Sequence, residues 1–156
     1  MSVFAPTVDP NSTAGQVVAN IAFFPAVQVD AFRATTRLQD TVTDGRVLQA
    51  LREAVISVNG ELRAWREQHV ALGYASLASV PADRYGDMTE LEHHYLTAVY
   101  ANAKALLMEQ YRDIDSTEAG NRRAAEFDGT VESWRREARE AIRAMLGVPR
   151  ATVELI

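Results

Sequence analysis

Cysteine is absent from the 156 residues, which removes disulfides, thiolate metal sites and cysteine nucleophiles from consideration. Lysine is almost as scarce: sixteen residues are Lys or Arg, and Lys104 is the one lysine among them. Arginine suits interfaces, since its planar fork pairs bidentately with carboxylates, although a GC-rich genome explains most of such a bias. No apolar run approaches the roughly 18 residues that cross a bilayer, and the N-terminus has no basic start followed by an apolar stretch. The sequence therefore reads as one kept in cytosol-like surroundings, with no membrane partner. A net charge of −5 argues against a chain whose main task is gripping a phosphate backbone. Gly-rich phosphate loops, GxSxG elbows and HExxH motifs are also missing.

What is present is the composition of an ordinary globular protein, 47% hydrophobic and 24% charged. The length fits one domain that buries roughly 68–70% of its unfolded surface. From residue 23 to 147 the pattern is helical. The aromatic segment Ile21-Ala22-Phe23-Phe24-Pro25 cannot continue as helix because of Pro25. Val29 to about Leu38 predicts a short helix anchored by Phe32 and Leu38. Thr43 or Asp44 caps a longer one, whose stripe of Val47, Leu48, Leu51, Val55, Val58, Leu62 and Trp65 carries it to about His69, with Gly73 as the stop. A connector from Tyr74 to Asp87 follows. Thr89 and Glu92 form a capping box for a third helix reaching about Arg112, with Leu91, Tyr95, Val99, Leu106 and Leu107 turned inward. A last helix is expected from Ser116 or Thr117 to Gly147, weakened by Gly120 and Gly129 but striped by Phe127, Val131, Trp134, Ala138, Ala141 and Met145. The expectation is an all-α fold, an antiparallel bundle of about four helices.

Each end carries an arm of different character. Residues 1–22 are rich in Ala, Pro, Thr, Asn, Ser and Gly and read as extended. Residues 148–156, Val-Pro-Arg-Ala-Thr-Val-Glu-Leu-Ile, alternate like a short strand. A lone strand leaves its backbone donors and acceptors unpaired, so such a tail calls for a partner.

Candidates for chemistry are few. His93 and His94 are adjacent on a helix and point about 100° apart, so they cannot chelate as an i, i+4 pair does. His69 stands alone near a helix end. Asp113 and Asp115 bracket a turn without a third partner, and Asp115-Ser116-Thr117 is more simply a helix start. Arg122, Arg123, Arg135, Arg136, Arg139 and Arg143 are interleaved with acids. Glu132 to Arg136 and Glu140 to Arg143 have the spacing of helix ion pairs, so a solvated, salt-bridged face is the expectation. Trp134 is placed in the core or at a subunit interface, where Trp and Arg are enriched. No catalytic residue, cofactor or metal is expected, and hence no enzyme.

Several segments, in order, resemble the head completion protein (gpL) family of temperate contractile-tailed phages. The likeness starts at Phe23-Phe24-Pro25 and passes through Arg37-Leu38, Leu51-Arg52-Glu53-Ala54, Glu61-Leu62 and Arg66-Glu67-Gln68. It continues through Gly73-Tyr74 and Val80-Pro81-Ala82-Asp83 to the segment Tyr111-Arg112-Asp113-Ile114-Asp115-Ser116-Thr117 with Gly120. It then takes in Trp134-Arg135 and closes at Pro149-Arg150 and the apolar tail to Ile156. The resemblance implies a subunit of the head–tail neck of the virion, held in host cytoplasm before assembly. Such a protein docks on the portal after DNA packaging, stabilises the filled head and gives the tail its platform. It implies as partners the portal protein, other copies in a ring of about twelve, and a downstream neck or tail-completion protein. Packaged DNA would lie nearby without sequence-specific binding. On this reading Arg150, Val153, Leu155 and Ile156 meet the portal or another partner, and Phe23, Phe24 and Trp134 lie at a subunit interface. The alternative is a DNA-handling packaging protein, such as a terminase small subunit, which a clear basic helix face would favour.

Overall fold

The computed structural model describes residues 15–38, 41–114 and 129–149, apart from the side chains of 112–114. It is mostly helical, with two small antiparallel strand pairs. Strand β1 (Val17–Val18) pairs with β2 (Val27–Gln28), Val18 opposite Val27. Between them the chain doubles back through a turn in which Phe24 N donates to Ile21 O at 3.1 Å. Residues 15–22, expected to belong to an extended arm, here lie on the body, with Val18 buried in its core. Residues 1–14 fall outside the described residues.

Helix α1 (Val29–Thr36) follows β2 directly and buries Val29, Phe32 and Thr36. Arg37 closes it in the left-handed region at φ +48°, its N–H bonding back into the last turn, and Leu38 is buried behind it. Arg33 then donates to the carbonyl of Val42 and pairs with Asp44, which fixes the start of α2 (Asp44–Glu61). Helix α2 buries Val47, Leu51, Val55 and Val58, as its stripe predicts.

The expected single helix to His69 is instead two. The backbone bends at Leu62 (φ −90°, ψ 3°) and resumes as α3 (Arg63–Ala71). Helical hydrogen bonds continue across the bend, from Leu62 N to Val58 O and from Arg66 N to Leu62 O. Leu62 itself is fully buried, whereas α3 has no buried residue. Gly60 weakens the helix beside the bend, and beyond Leu62 the stripe is carried by the half-buried Trp65, with no fully buried residue in α3.

Gly73, at φ +97°, ends α3 as expected. The connector is more ordered than its sequence predicts. A 3-10 turn at Leu77–Ser79 buries Leu77, whose N–H bonds to Phe23 O at 2.8 Å. A tight hairpin joins β3 (Arg84–Tyr85) to β4 (Met88–Thr89) through Gly86, at φ +70°.

Helix α4 (Glu90–Ile114) opens on the anticipated capping box. Thr89 N donates to Glu92 Oε2 at 2.8 Å, and Glu92 N donates to Thr89 Oγ1 at 3.2 Å. The final helix departs from expectation. Gly129 stands at φ +87° and Thr130 is extended, so no continuous helix runs from residue 117 to Met145. Helix α5 (Val131–Met145) starts afresh on a capping box between Thr130 and Ser133; the proposed starts at Ser116 and Thr117, and Phe127, lie outside the described residues. Helix α4 is the centre of the body. Arg46 of α2 lies over the Tyr111 ring while Asn59 meets Tyr95, so α2 runs antiparallel to α4. Arg135 meets Glu109 and Ala144 lies near His94, so α5 is antiparallel to α4 on another side.

Candidate interaction surface

A hook formed by residues 20–25 is pinned to the helices by aromatic packing and by one polar ring. Phe24 stacks flat on Tyr95 of α4, with centroids 4.5 Å apart, and Phe23 meets Phe24 and Trp65 edge-on. These contacts bury both phenylalanines in their own chain, at 6% and 4% exposure, which leaves little of either ring for a neighbouring subunit. Burying a side chain of this size stabilises by about 1.5–3 kcal/mol, so the hook is fixed to the body.

The polar ring closes on itself. Asn20 Nδ2 donates to the Tyr95 hydroxyl at 2.7 Å, and the hydroxyl donates to Asn59 Oδ1 at 2.7 Å. Asn59 Nδ2 donates back to Asn20 Oδ1 at 2.9 Å, and Asn20 Nδ2 also reaches Pro25 O. Burial pushes the Tyr95 hydroxyl up to about 12, while the hydrogen bond from Asn20 opposes that rise. Sequence reasoning missed this ring. A signal for one member existed: Asn59 sits four residues after Val55 and three before Leu62, the spacing of the buried stripe.

Outside the hook lies an apolar groove of about 510 Å³, walled by Ile21, Ala22 and Phe23 on one side and by Val70, Ala71 and Ala75 on the other. Arg66 and Glu67 supply its charge. Ile21 is 41% exposed, Val70 51% and Leu72, just beyond α3, 72%. These are exposed apolar side chains on the hook and at the end of α3. Exposed apolar surface gathered around a concavity is the usual mark of a binding face.

A second cleft, of about 260 Å³, lies between α4 and α5 and is lined by His93, His94, Thr97, Glu137, Glu140, Arg143 and Val148 among others. His94 faces Glu90 at 3.4 Å on the same helix. Among the described residues, no group of three or more His, Cys, Asp or Glu side chains could hold a metal ion. His69 accepts no such role either; its ring lies against Trp65, with Nδ1 2.8 Å from the Trp65 carbonyl.

Trp134 is half-buried against a small cluster of Ala105, Met108 and Val131, at the opposite end of α4 from the hook. Next to it Arg135 makes a two-pronged contact with the Glu109 carboxylate, both partly exposed. Arg136, Arg139 and Arg143 are exposed on α5, with Glu132, Glu137 and Glu140 along the same helix. Lys104 is fully buried and donates from Nζ to Thr36 O at 3.0 Å, tying α4 to the end of α1. Arg150, Val153, Leu155, Ile156 and Asp115 lie outside the described residues.

The chain matches the phage head completion protein (GPL) family over residues 18–156. It is also similar to the head completion/stabilization protein of Escherichia phage P2, at 35% identity over 140 residues, covering 90% of this chain and 83% of that protein. No solved structure matches it. The hook, its aromatic anchors and the three long helices all fall inside the matched span, and the chain belongs to the phage head completion protein (GPL) family.

Proposed function

We propose that this protein is a subunit of the head–tail neck that docks on the portal vertex once DNA has been packaged, stabilises the filled head and offers the platform for tail joining. The observation that carries the reading is the family match along almost the whole chain, from residue 18 to 156. Its form is a mostly helical body with a C-terminal tail, repeated as a ring of about twelve copies. It works through contacts, with no chemistry and no cofactor of its own. The tail after Gly147 is the contact element, with Arg150, Val153, Leu155 and Ile156 as the residues that meet the portal or the next subunit. Burying three such apolar side chains contributes roughly 1.5–3 kcal/mol each before ordering costs. Repetition around a ring turns that modest contact into firm attachment through effective concentration.

The test is binding to the purified portal ring, with the full chain beside a version ending at Gly147. The full chain should bind as a ring and the shortened one should not, while both keep the same helical circular dichroism. Equal binding would move the contact to the body, and loss of helix on shortening would make the tail part of the fold. Failure of both to bind would sink the docking proposal.

A further inference from the structure

We infer that Arg143 is a positioning residue that clamps the root of the C-terminal tail, so that the tail leaves the end of α5 in one set direction. The inference deepens the proposed function and rests on its reading of the tail as a contact element.

Helix α5 closes on two backbone bonds. Gly147 N donates to Ala144 O at 3.1 Å, and Val148 N donates to Arg143 O at 2.9 Å. The pair is a Schellman arrangement, which depends on the left-handed conformation that Gly147 adopts at φ +68°. Pro149 then fixes its own φ and keeps Val148 extended. The Arg143 side chain reaches forward to the same segment, where Nη2 donates to Pro149 O at 3.0 Å. One residue thus holds the root twice, by its carbonyl at Val148 and by its guanidinium at Pro149. Val148 also lies in the cleft beside His93, His94 and Thr97 of α4.

The second hold falls where the chain would otherwise be free. With Gly147 and Val148 restrained and φ of Pro149 locked by its ring, the one soft torsion left before Arg150 is ψ of Pro149. That torsion turns the carbonyl that Arg143 grips. Left alone, it has a helical well near about −40° and an extended well near about +145°, which send the following residues in nearly opposite directions. The guanidinium selects one well. A tail already aimed gives up less freedom on binding than one that must first be ordered.

The absence of native cysteine lets nitroxide pairs be placed on the full chain. Labels on Arg52→Cys, at an exposed position of α2, and on Ala151→Cys read the exit direction as a distance distribution in the free protein. One narrow distance is expected. Arg143→Met keeps the stem and loses the donor, and should roughly double the width by opening the second ψ well. Arg143→Lys keeps a donor and should restore most of the narrowing. Gly147→Val strains the left-handed turn and should widen the distribution with no change of charge. Arg139→Met removes the same charge from the same helix and should leave the width alone. Without labels, Arg143→Met should weaken binding to the purified portal ring roughly three- to tenfold, with the thermal midpoint of the body held. Equal widths with and without the Arg143 donor, or an equal effect of Arg139→Met, would overturn the inference. So would unchanged portal binding by Arg143→Met where the version ending at Gly147 binds no portal. Portal binding by that shortened version would fail the tail reading alone, and the distance widths would still decide the clamp.

Discussion

The Tyr95 hydroxyl receives from Asn20 and donates to Asn59, so Tyr95→Phe leaves two buried-side amide groups short of a partner while keeping the Phe24 stack. Unfolding free energy should fall by roughly 1–3 kcal/mol, read as a lower urea midpoint with unchanged slope. The same residue predicts alkaline behaviour. Its hydroxyl is pushed up to about 12 by burial, against about 10 in an unfolded chain. Between those values the unfolded state has lost the proton that the native state keeps, so stability is full below about pH 10 and declines as pH rises towards 12. Tyr100, raised by burial as well, pulls the same way. Tyr95→Phe should flatten part of that decline in a pH series of melting curves; an identical slope in both proteins would refute the assignment. Single residues were legible in the sequence wherever their partners were near. Thr89 and Glu92 announce their mutual cap across three positions. Asn20 and Tyr95 are 75 positions apart, and local spacing holds no trace of such a meeting.

At the level of elements, turn chemistry decides where helices begin and end. Gly129 precedes α5 at φ +87°, and a Cβ there would meet Ser133 Oγ at 2.9 Å and Trp134 Nε1 at 3.2 Å. Gly129→Ala should therefore cost roughly 1–2 kcal/mol through backbone strain and crowding of the cap. Thr130→Ala, which removes the acceptor for Ser133 N, should cost about 1 kcal/mol. Both are measurable as shifts in thermal midpoint, and unchanged midpoints would remove Gly129 and Thr130 from the start of α5. Read as a sequence, Gly129 was a weakness within one long helix, because the apolar stripe continues in phase on both sides of it. The bend at Leu62 was hidden for a similar reason: Trp65 extends the stripe, but α3 leaves the core after it. The hairpin at residues 84–89 escaped notice because its strands are two residues each, too short to show alternation.

At the scale of the whole molecule, the net charge is −5, and the acids interleaved along α5 leave no broad cationic face for a duplex among the described residues. Duplex DNA binding should accordingly be weak at physiological salt and should show a shallow salt dependence, checked by fluorescence anisotropy across a salt series. Tight binding with a steep salt slope would favour the packaging-protein alternative. The sequence by itself determined the helical class, the core stripes of α2 and α4, the cap at Thr89, and the family through ordered short segments. These depend on local periodicity and on side chains near one another in the chain. Only the tertiary structure decided that Phe23 and Phe24 face inward, that Asn20, Asn59 and Tyr95 close a ring, and that Ile21 and α3 frame an outward groove. Those outcomes arise from segments far apart in sequence, whose burial and pairing energies exist only once α2, α4 and the hook are packed together.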